Sequence, residues 1–246
     1  MRHLILCSVM WLCGLMMAVG QNVPQVIPAL QQWKSAKGKL VLPETGKVIV
    51  SLDEEIELKG EAEILVQDLK EMFGWEYSVV VGKKEKGAVY LTLGKPDKTL
   101  GEEGYRMNIQ GEVTIEAPTS KGVFWGTRTL LQMLHNQPEG LMKGRATDFP
   151  LYPNRGFMID VGRKFFTMDY LRDYVKILSF YKMNELQVHL NDNGFVEFFD
   201  NDWNKTYAAF RLESERFPGL TAKDGSYTKE EFRDFQIMAA RYGVNV

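Results

Sequence analysis

The strongest constraint on this chain is a rhythm that begins at Arg155. Gly156–Val161 reads as a short apolar strand. Thr167 stands where a helix cap belongs, ahead of Leu171, Tyr174, Val175, Leu178 and Tyr181 at helical spacing. Glu185–Leu190 is a second strand, followed by a long polar and aromatic loop. Thr228-Lys229-Glu230-Glu231 is a capping box, and its helix is expected to bury Phe232, Phe235, Ala239 and Tyr242 and to stop at Gly243. Val244-Asn245-Val246 then reads as the first half of a third strand. This is β-α-β-loop-α-β, the grammar of parallel sheets and α/β barrels. Parallel sheets need both faces covered, and a (β/α)8 barrel takes about 250 residues. Residues 155–246 supply two βα units and a fragment of a third. The chain is therefore expected to be part of a longer product, its TIM barrel interrupted in the third strand.

The residues before that rhythm have a different texture. Lys47–Val50 is a short strand, and Ala62, Leu65, Val66, Leu69, Met72 and Phe73 form a helical stripe with Gly74 placed to cap it. Strand runs follow at Tyr77–Val81, Val89–Leu93, Tyr105–Ile109 and Val113–Ile115. The last two flank Gln110-Gly111-Glu112, a hairpin signal. A second helix carries Val123, Phe124, Thr127, Leu131 and Leu134 on one face. These elements make a small α+β domain, assigned to residues 21–150. Pro150 to Asn154 holds two prolines in four residues and reads as a linker.

Residues 1–20 read as an export signal. Met1-Arg2-His3 is a short basic start, Leu4 to Val19 is almost wholly apolar, and Ala18-Val19-Gly20 offers the small residues that a signal peptidase reads. An uncleaved membrane anchor is the alternative. Cleavage before Gln21 would place the protein outside the cytoplasm, secreted or periplasmic. It would also remove Cys7 and Cys13, the 2 cysteines of the chain. The mature protein would then rely on its core rather than on disulfides, and would have no Cys nucleophile or Cys metal site. Lys+Arg is 30 and Asp+Glu 32, a net charge of -2, which gives no footprint for nucleic acid. No later stretch is long and apolar enough to span a bilayer.

Several motif families can be set aside. Gly82 to Gly87 has P-loop glycine spacing, but Ala88 stands where Lys-Ser/Thr must follow, so a charged hairpin tip is the better reading. Asp200, Asp202 and Asn204 begin like a calcium loop, yet Lys205 replaces the needed Gly and Arg211 the bidentate Glu. No metal or other cofactor is expected. Two positions carry more promise, both at C-terminal strand ends where α/β barrels place their active sites. Arg163 follows the first strand, with Asp160 three residues before it; Asp192 follows the second, between Asn191 and Asn193. Such a pair can bind sugar hydroxyls or position another group. The plainer alternative is that Asp160 and Arg163 merely pair and that Asn191–Asn193 make a turn. His189 either lines the pocket or satisfies a buried hydrogen bond, and the second is the preferred reading. Phe195, Phe198, Phe199, Trp203, Tyr207 and Phe210 could pack against sugar faces, but the preferred reading is a loop with its own small core.

At these residues the sequence resembles a known family. Arg155-Gly156-Phe157-Met158-Ile159-Asp160-Val161-Gly162-Arg163, then Tyr181-Lys182-Met183-Asn184-Glu185-Leu186-Gln187-Val188-His189-Leu190-Asn191-Asp192, looks like the start of the catalytic barrel of family 20 glycoside hydrolases, the β-N-acetylhexosaminidases. Phe217-Pro218-Gly219-Leu220, Tyr227 to Glu231 and Ala240 to Val244 continue in register. Glu103-Gly104-Tyr105-Arg106 and Gly122 to Gly126 are similar to the domain that precedes that barrel.

The resemblance implies removal of terminal N-acetylhexosamine from glycans by substrate-assisted hydrolysis, an exception to the two-carboxylate scheme. The substrate's acetamido oxygen attacks the anomeric carbon, a Glu protonates the leaving oxygen, and the Asp before it orients the acetamide. Arg163 would bind hydroxyls of the terminal sugar, and Asp192 would support the acid through a hydrogen-bonded relay. The acid and its Asp partner are expected beyond Val246, since the one Asp-Glu pair, Asp53-Glu54, does not match the motif. Asn193 and Gly194-Phe195-Val196-Glu197 depart from the family's usual second Asp and Gly-Trp-Arg run. The alternative reading is an inactive carbohydrate-binding or interaction protein of the same ancestry. The partners implied are N-acetylhexosamine-terminated glycans. N-terminal sequencing of the exported protein is expected to start at Gln21; an intact Met1 would refute cleavage.

Overall fold

A computed structural model describes residues 23–205, 208–217 and 219–246. The segment read as an export signal, together with Tyr207 and Pro218, lies outside the described residues. The chain divides into two compact units, one ending at Phe149 and the other beginning at Pro150.

Among the described residues the first unit is a seven-stranded sheet with two helices. Its elements are β1 (Gln32–Leu40), β2 (Thr45–Val50), α1 (Glu55–Phe73), β3 (Glu76–Val81), β4 (Val89–Leu93), β5 (Tyr105–Ile109), β6 (Val113–Ala117), α2 (Ser120–Asn136) and β7 (Leu141–Asp148). The strand order is β1-β7-β5-β6-β4-β2-β3. Strands β3, β2, β4 and β6 run parallel, while β5, β7 and β1 add antiparallel pairings. Val48, Ile49 and Val50 are fully buried, as a strand flanked on both sides requires. Helix α1 buries Leu58, Ala62, Leu65 and Leu69. Gly74 closes it at φ 72°, its N–H on the Lys70 carbonyl at 2.9 Å. A side chain there would meet the usual left-handed penalty.

Two expectations need correction. Gly82 to Gly87 is not a hairpin tip. β3 and β4 flank β2 and both run parallel to it, so the segment is a return connection, and its Glu85 pairs with Lys47 of β2 at 2.8 Å. Strand periodicity locates strands but not their partners. Helix α2 is not one-faced either: every residue from Gly122 to Leu134 is buried. Its polar groups are therefore met inside. Arg128 Nη1 lies 2.5 Å from Asp68 Oδ2 on α1, and Thr129 Oγ1 lies 2.6 Å from Tyr105 Oη. Tyr105 donates to Asp148 at 2.8 Å, and burial followed by that negative charge pushes its hydroxyl well above the usual phenol range.

The second unit contains β8 (Gly156–Asp160), α3 (Met168–Phe180), β9 (Glu185–His189), β10 (Asn191–Asn193), a short 3-10 turn (Val196–Phe199), β11 (Ala208–Phe210) and α4 (Lys229–Arg241). β8 and β9 pair in parallel from Gly156↔Glu185 to Asp160↔His189. Thr167 caps α3 by accepting from Tyr170 N–H, and the Thr228/Glu231 capping box is closed in both directions. The helices bury Leu171, Val175, Leu178, Phe235 and Ala239; Tyr181, expected in the stripe, is 42% exposed. Beyond Gly243, Asn245 donates to the Asn184 carbonyl at 3.0 Å, and its own carbonyl accepts from Leu186 N–H at 2.8 Å. That is the place a third parallel strand takes beside β9.

Gly126 tests the packing of the first unit. A Cβ there would lie 2.4 Å from Ile115 Cγ2 and 3.1 Å from the Tyr105 ring. Gly126→Ala is expected to cost about 1–3 kcal/mol, read as a lower urea midpoint with unchanged slope. An unchanged midpoint would refute the close approach.

Candidate functional site

The site is built where β8 and β9 end. Val161 and Gly162 both donate to the His189 carbonyl, at 3.2 and 3.0 Å, so the chain leaving β8 stays beside the chain leaving β9. Gly162 permits this. A Cβ there would fall 2.8 Å from the Asp192 backbone nitrogen and 2.9 Å from the Asn191 carbonyl carbon. The next residue, Arg163, is thereby carried up against Asp192.

Four side chains meet at this point. Arg163 Nη1 lies 2.6 Å from Asp160 Oδ2, and its backbone N–H donates to Asp160 Oδ1 at 3.0 Å. Its Nη2 lies 2.8 Å from Asp192 Oδ2. The same Asp192 oxygen is 2.7 Å from His189 Nε2, and Asp192 Oδ1 accepts from Asn193 N–H at 2.7 Å. The sequence-predicted Arg163 and Asp192 thus share one cluster. Asp160 and Arg163 pair, as the plainer alternative held, but Asp192 joins them. Asn191–Asn193 is not a turn: it is β10, antiparallel to β11 with Asp192 opposite Ala209. His189 is not buried; its side chain is 36% exposed and reaches Asp192. The first difference has its cause in β11, a strand supplied from beyond the aromatic loop.

The electrostatics favour charged carboxylates. The His189 bond is the largest influence holding Asp192 below the usual carboxylate range, aided by Asn193 N–H and the Arg163 charge against some desolvation. For Asp160 desolvation pushes upward, but the Arg163 backbone and guanidinium bonds and the charges of Arg163 and His189 outweigh it. The Asp160 bond raises Arg163 further. Ligand atoms of Asp160, His189 and Asp192 lie within 4.8 Å of one another, a spacing a metal could use. The Arg163 guanidinium already supplies the positive charge between the two carboxylates.

Sequence reasoning missed two contributors. Arg211 is fully buried, its Nε 2.6 Å from the Val161 carbonyl and its Nη2 3.0 Å from that of Gly162. Asp224 Oδ1 (2.5 Å) and the Gly225 carbonyl (2.9 Å) take its Nη1. An arginine in a polar loop reads as solvated, so its pattern gave no cue. The aromatic loop is the second. Phe195, Phe198 and Trp203 are 54%, 82% and 69% exposed, so they do not form a core of their own. Instead Phe195 lies under the Arg163 guanidinium, 4.9 Å from ring centre to Cζ, with Phe198 edge-on to it.

The description "Glycosyl hydrolase family 20, domain 2" matches residues 23–149, and "Glycosyl hydrolase family 20, catalytic domain" matches residues 152–246. The chain belongs to glycosyl hydrolase family 20, as an α+β domain followed by the start of the catalytic domain. A beta-hexosaminidase of Akkermansia muciniphila is 31% identical over 152 residues, covering 60% of this chain and 31% of that protein. One of Porphyromonas gingivalis is 25% identical over 232 residues, covering 85% of this chain and 28% of that protein. The GH20 beta-N-acetylhexosaminidase structure from Streptomyces coelicolor A3(2) superposes with a TM-score of 0.73 at 25% identity, over 91% of this chain and 45% of that one. The chain thus spans about a third of the length of these two relatives and under half of that structure.

Asp160 and Asp192 are both held below their unfolded values, so the stability they contribute is present above the ordinary carboxylate range. It is lost only as pH falls through the depressed folded values. Carboxyl-carbon NMR is expected to show both titrating below the usual carboxylate range. Titration within that range would refute the cluster.

Proposed function

We propose that this chain is the N-terminal portion of an exported β-N-acetylhexosaminidase, which removes terminal N-acetylhexosamine from glycans. The observation that carries the reading is the grip on Arg163, held by Asp160 and Asp192 at adjacent parallel strand ends in a family 20 chain. Two guanidinium nitrogens are spent on carboxylates. Nε has no hydrogen-bond partner among the described residues, and the side chain is 34% exposed. A donor fixed this way can meet sugar hydroxyls without first ordering a long side chain. Membership in the family supports the substrate-assisted route, in which the acetamido oxygen attacks and a Glu protonates the leaving oxygen. Asp192, ionised and oriented by His189, fits the role of supporting that acid rather than replacing it. The length covered in the relatives supports placing the Asp-Glu pair outside these residues.

Within the 246 residues the one Asp-Glu pair is committed elsewhere. Glu54 precedes α1, and its carboxylate accepts from Leu93 N–H at 2.8 Å. An unprotonated glycosidic oxygen leaves poorly, and a positioned acid contributes about 10²–10⁴-fold. The 246-residue chain is therefore expected not to turn over an aryl N-acetyl-glucosaminide. In the longer protein, Arg163→Ala should lower kcat/KM about 10²-fold or more, and Asp192→Asn should lower kcat more than it raises KM. Robust turnover by the short chain would overturn the assignment of the acid, and unchanged kinetics in both variants would overturn that of the site.

A further inference from the structure

The first unit has a groove that the proposed chemistry does not use. It encloses about 890 Å³ between β1 and the turn joining α2 to β7. It exists because the β1–β7 register breaks. Ser35 pairs with Gly144 and Lys39 with Met142, so Ala36-Lys37-Gly38 must bow out opposite the single residue Lys143.

The charge around this bulge is one-sided. Lys37, Lys39 and Lys143 line the groove, and Glu139 is its one carboxylate, taken by Lys39 at 3.2 Å. Just outside, Lys34 stands directly opposite Arg145 across the two strands, a pairing that repels. Neither Lys34, Lys37 nor Lys143 has a carboxylate partner among the described residues. The chain as a whole carries -2, so this excess of cations is local and runs against the average. The wall also offers a neutral hydrogen-bonding group in the exposed Ser35. Gln137 serves the fold instead: its Oε1 accepts from Met142 N–H at 2.8 Å and its Nε2 is buried.

We propose that this groove binds an acidic oligosaccharide, a short glycan bearing sulfate or carboxylate groups. Lys37 and Lys143 meet its anions, and Ser35 meets its hydroxyls. The bound anions also relieve the repulsion between Lys34 and Arg145. A groove of this size takes a few sugar rings, whereas a nucleic acid would need a longer basic track and stacking rings that the groove lacks. The choice of a glycan leans on the glycosidase reading, but the site does not: binding here involves none of the strand-end cluster.

The test is binding by calorimetry to the 246-residue chain at low and moderate salt. The probes are a sulfated hexasaccharide, an oligogalacturonate of equal length, neutral chitohexaose and a single-stranded oligonucleotide of matched charge. The sulfated or the uronate probe is expected to bind in a salt-sensitive manner, and the two arms separate sulfate from carboxylate recognition. Lys37→Glu with Lys143→Glu should weaken binding about tenfold or more, while Lys83→Glu with Lys86→Glu, the same charge change on the β3–β4 connection, should leave it intact. All four positions are on the surface, and circular dichroism checks the fold. Absent binding of both acidic sugars, equal weakening by the two double variants, or equal binding of the oligonucleotide would overturn the proposal. Because no turnover is measured, a protein that binds these sugars but fails as a glycosidase would refute only the proposed activity.

Discussion

The second unit depends on one buried guanidinium. Arg211 holds the carbonyls of Val161 and Gly162 on one side and Asp224 and Gly225 on the other, so it ties the end of β8 to a turn more than sixty residues later in the chain. Three backbone carbonyls and a carboxylate are met by this one side chain. Each unmet buried acceptor would cost about 1–3 kcal/mol, which makes a lysine or methionine a poor substitute. Phe165 lies 5.4 Å from the guanidinium and also packs on Tyr227 with its ring tilted by 31°. Tyr227 in turn donates to the Phe166 carbonyl, and burial pushes its hydroxyl up to about 12. The segment between β8 and α3 is thus fixed at both its start and its end.

That anchoring gives the strand-end cluster its geometry. Arg163 leaves directly from the pinned Val161-Gly162 pair, and Gly162 lets the two strand ends close to backbone contact. On the opposite side β11 holds Asp192 in extended conformation and aims it at Arg163 and His189. The result is a cation with two carboxylates in place before any ligand arrives. Preorganisation of this kind matters for sugars, because hydroxyl contacts are individually weak and lose value when the donor must first be ordered.

The first unit meets its polar groups differently. Its central helix is buried all round, and the cost of enclosing Arg128 and Thr129 is offset by partners on two other elements, Asp68 and Tyr105. At the β1 edge charge is matched less well: a three-residue bulge carrying Lys37 adjoins Lys34, which stands opposite Arg145.

The local elements were legible from the sequence because their causes are local. Thr167 and the Thr228/Glu231 box start their helices, Gly74 and Gly243 end theirs, and the apolar runs Val89–Leu93 and Tyr105–Ile109 are strands where they were expected. The candidate pair Arg163 and Asp192 was legible too, since strand ends in a β-α-β rhythm name the residues that follow them. What stayed hidden were strands of mixed polarity and partners set by distance. β1 and β7 lack an alternating pattern because β1 lies at the sheet edge and is largely exposed along its length. The segment Asn191–Asn193 became a strand only because β11 returned to pair with it, and Arg211 became a buried anchor only because the β8 end left two carbonyls to be met. Hydrophobic periodicity records which face of an element is covered. It holds no record of which distant backbone groups arrive there, and that decided the site.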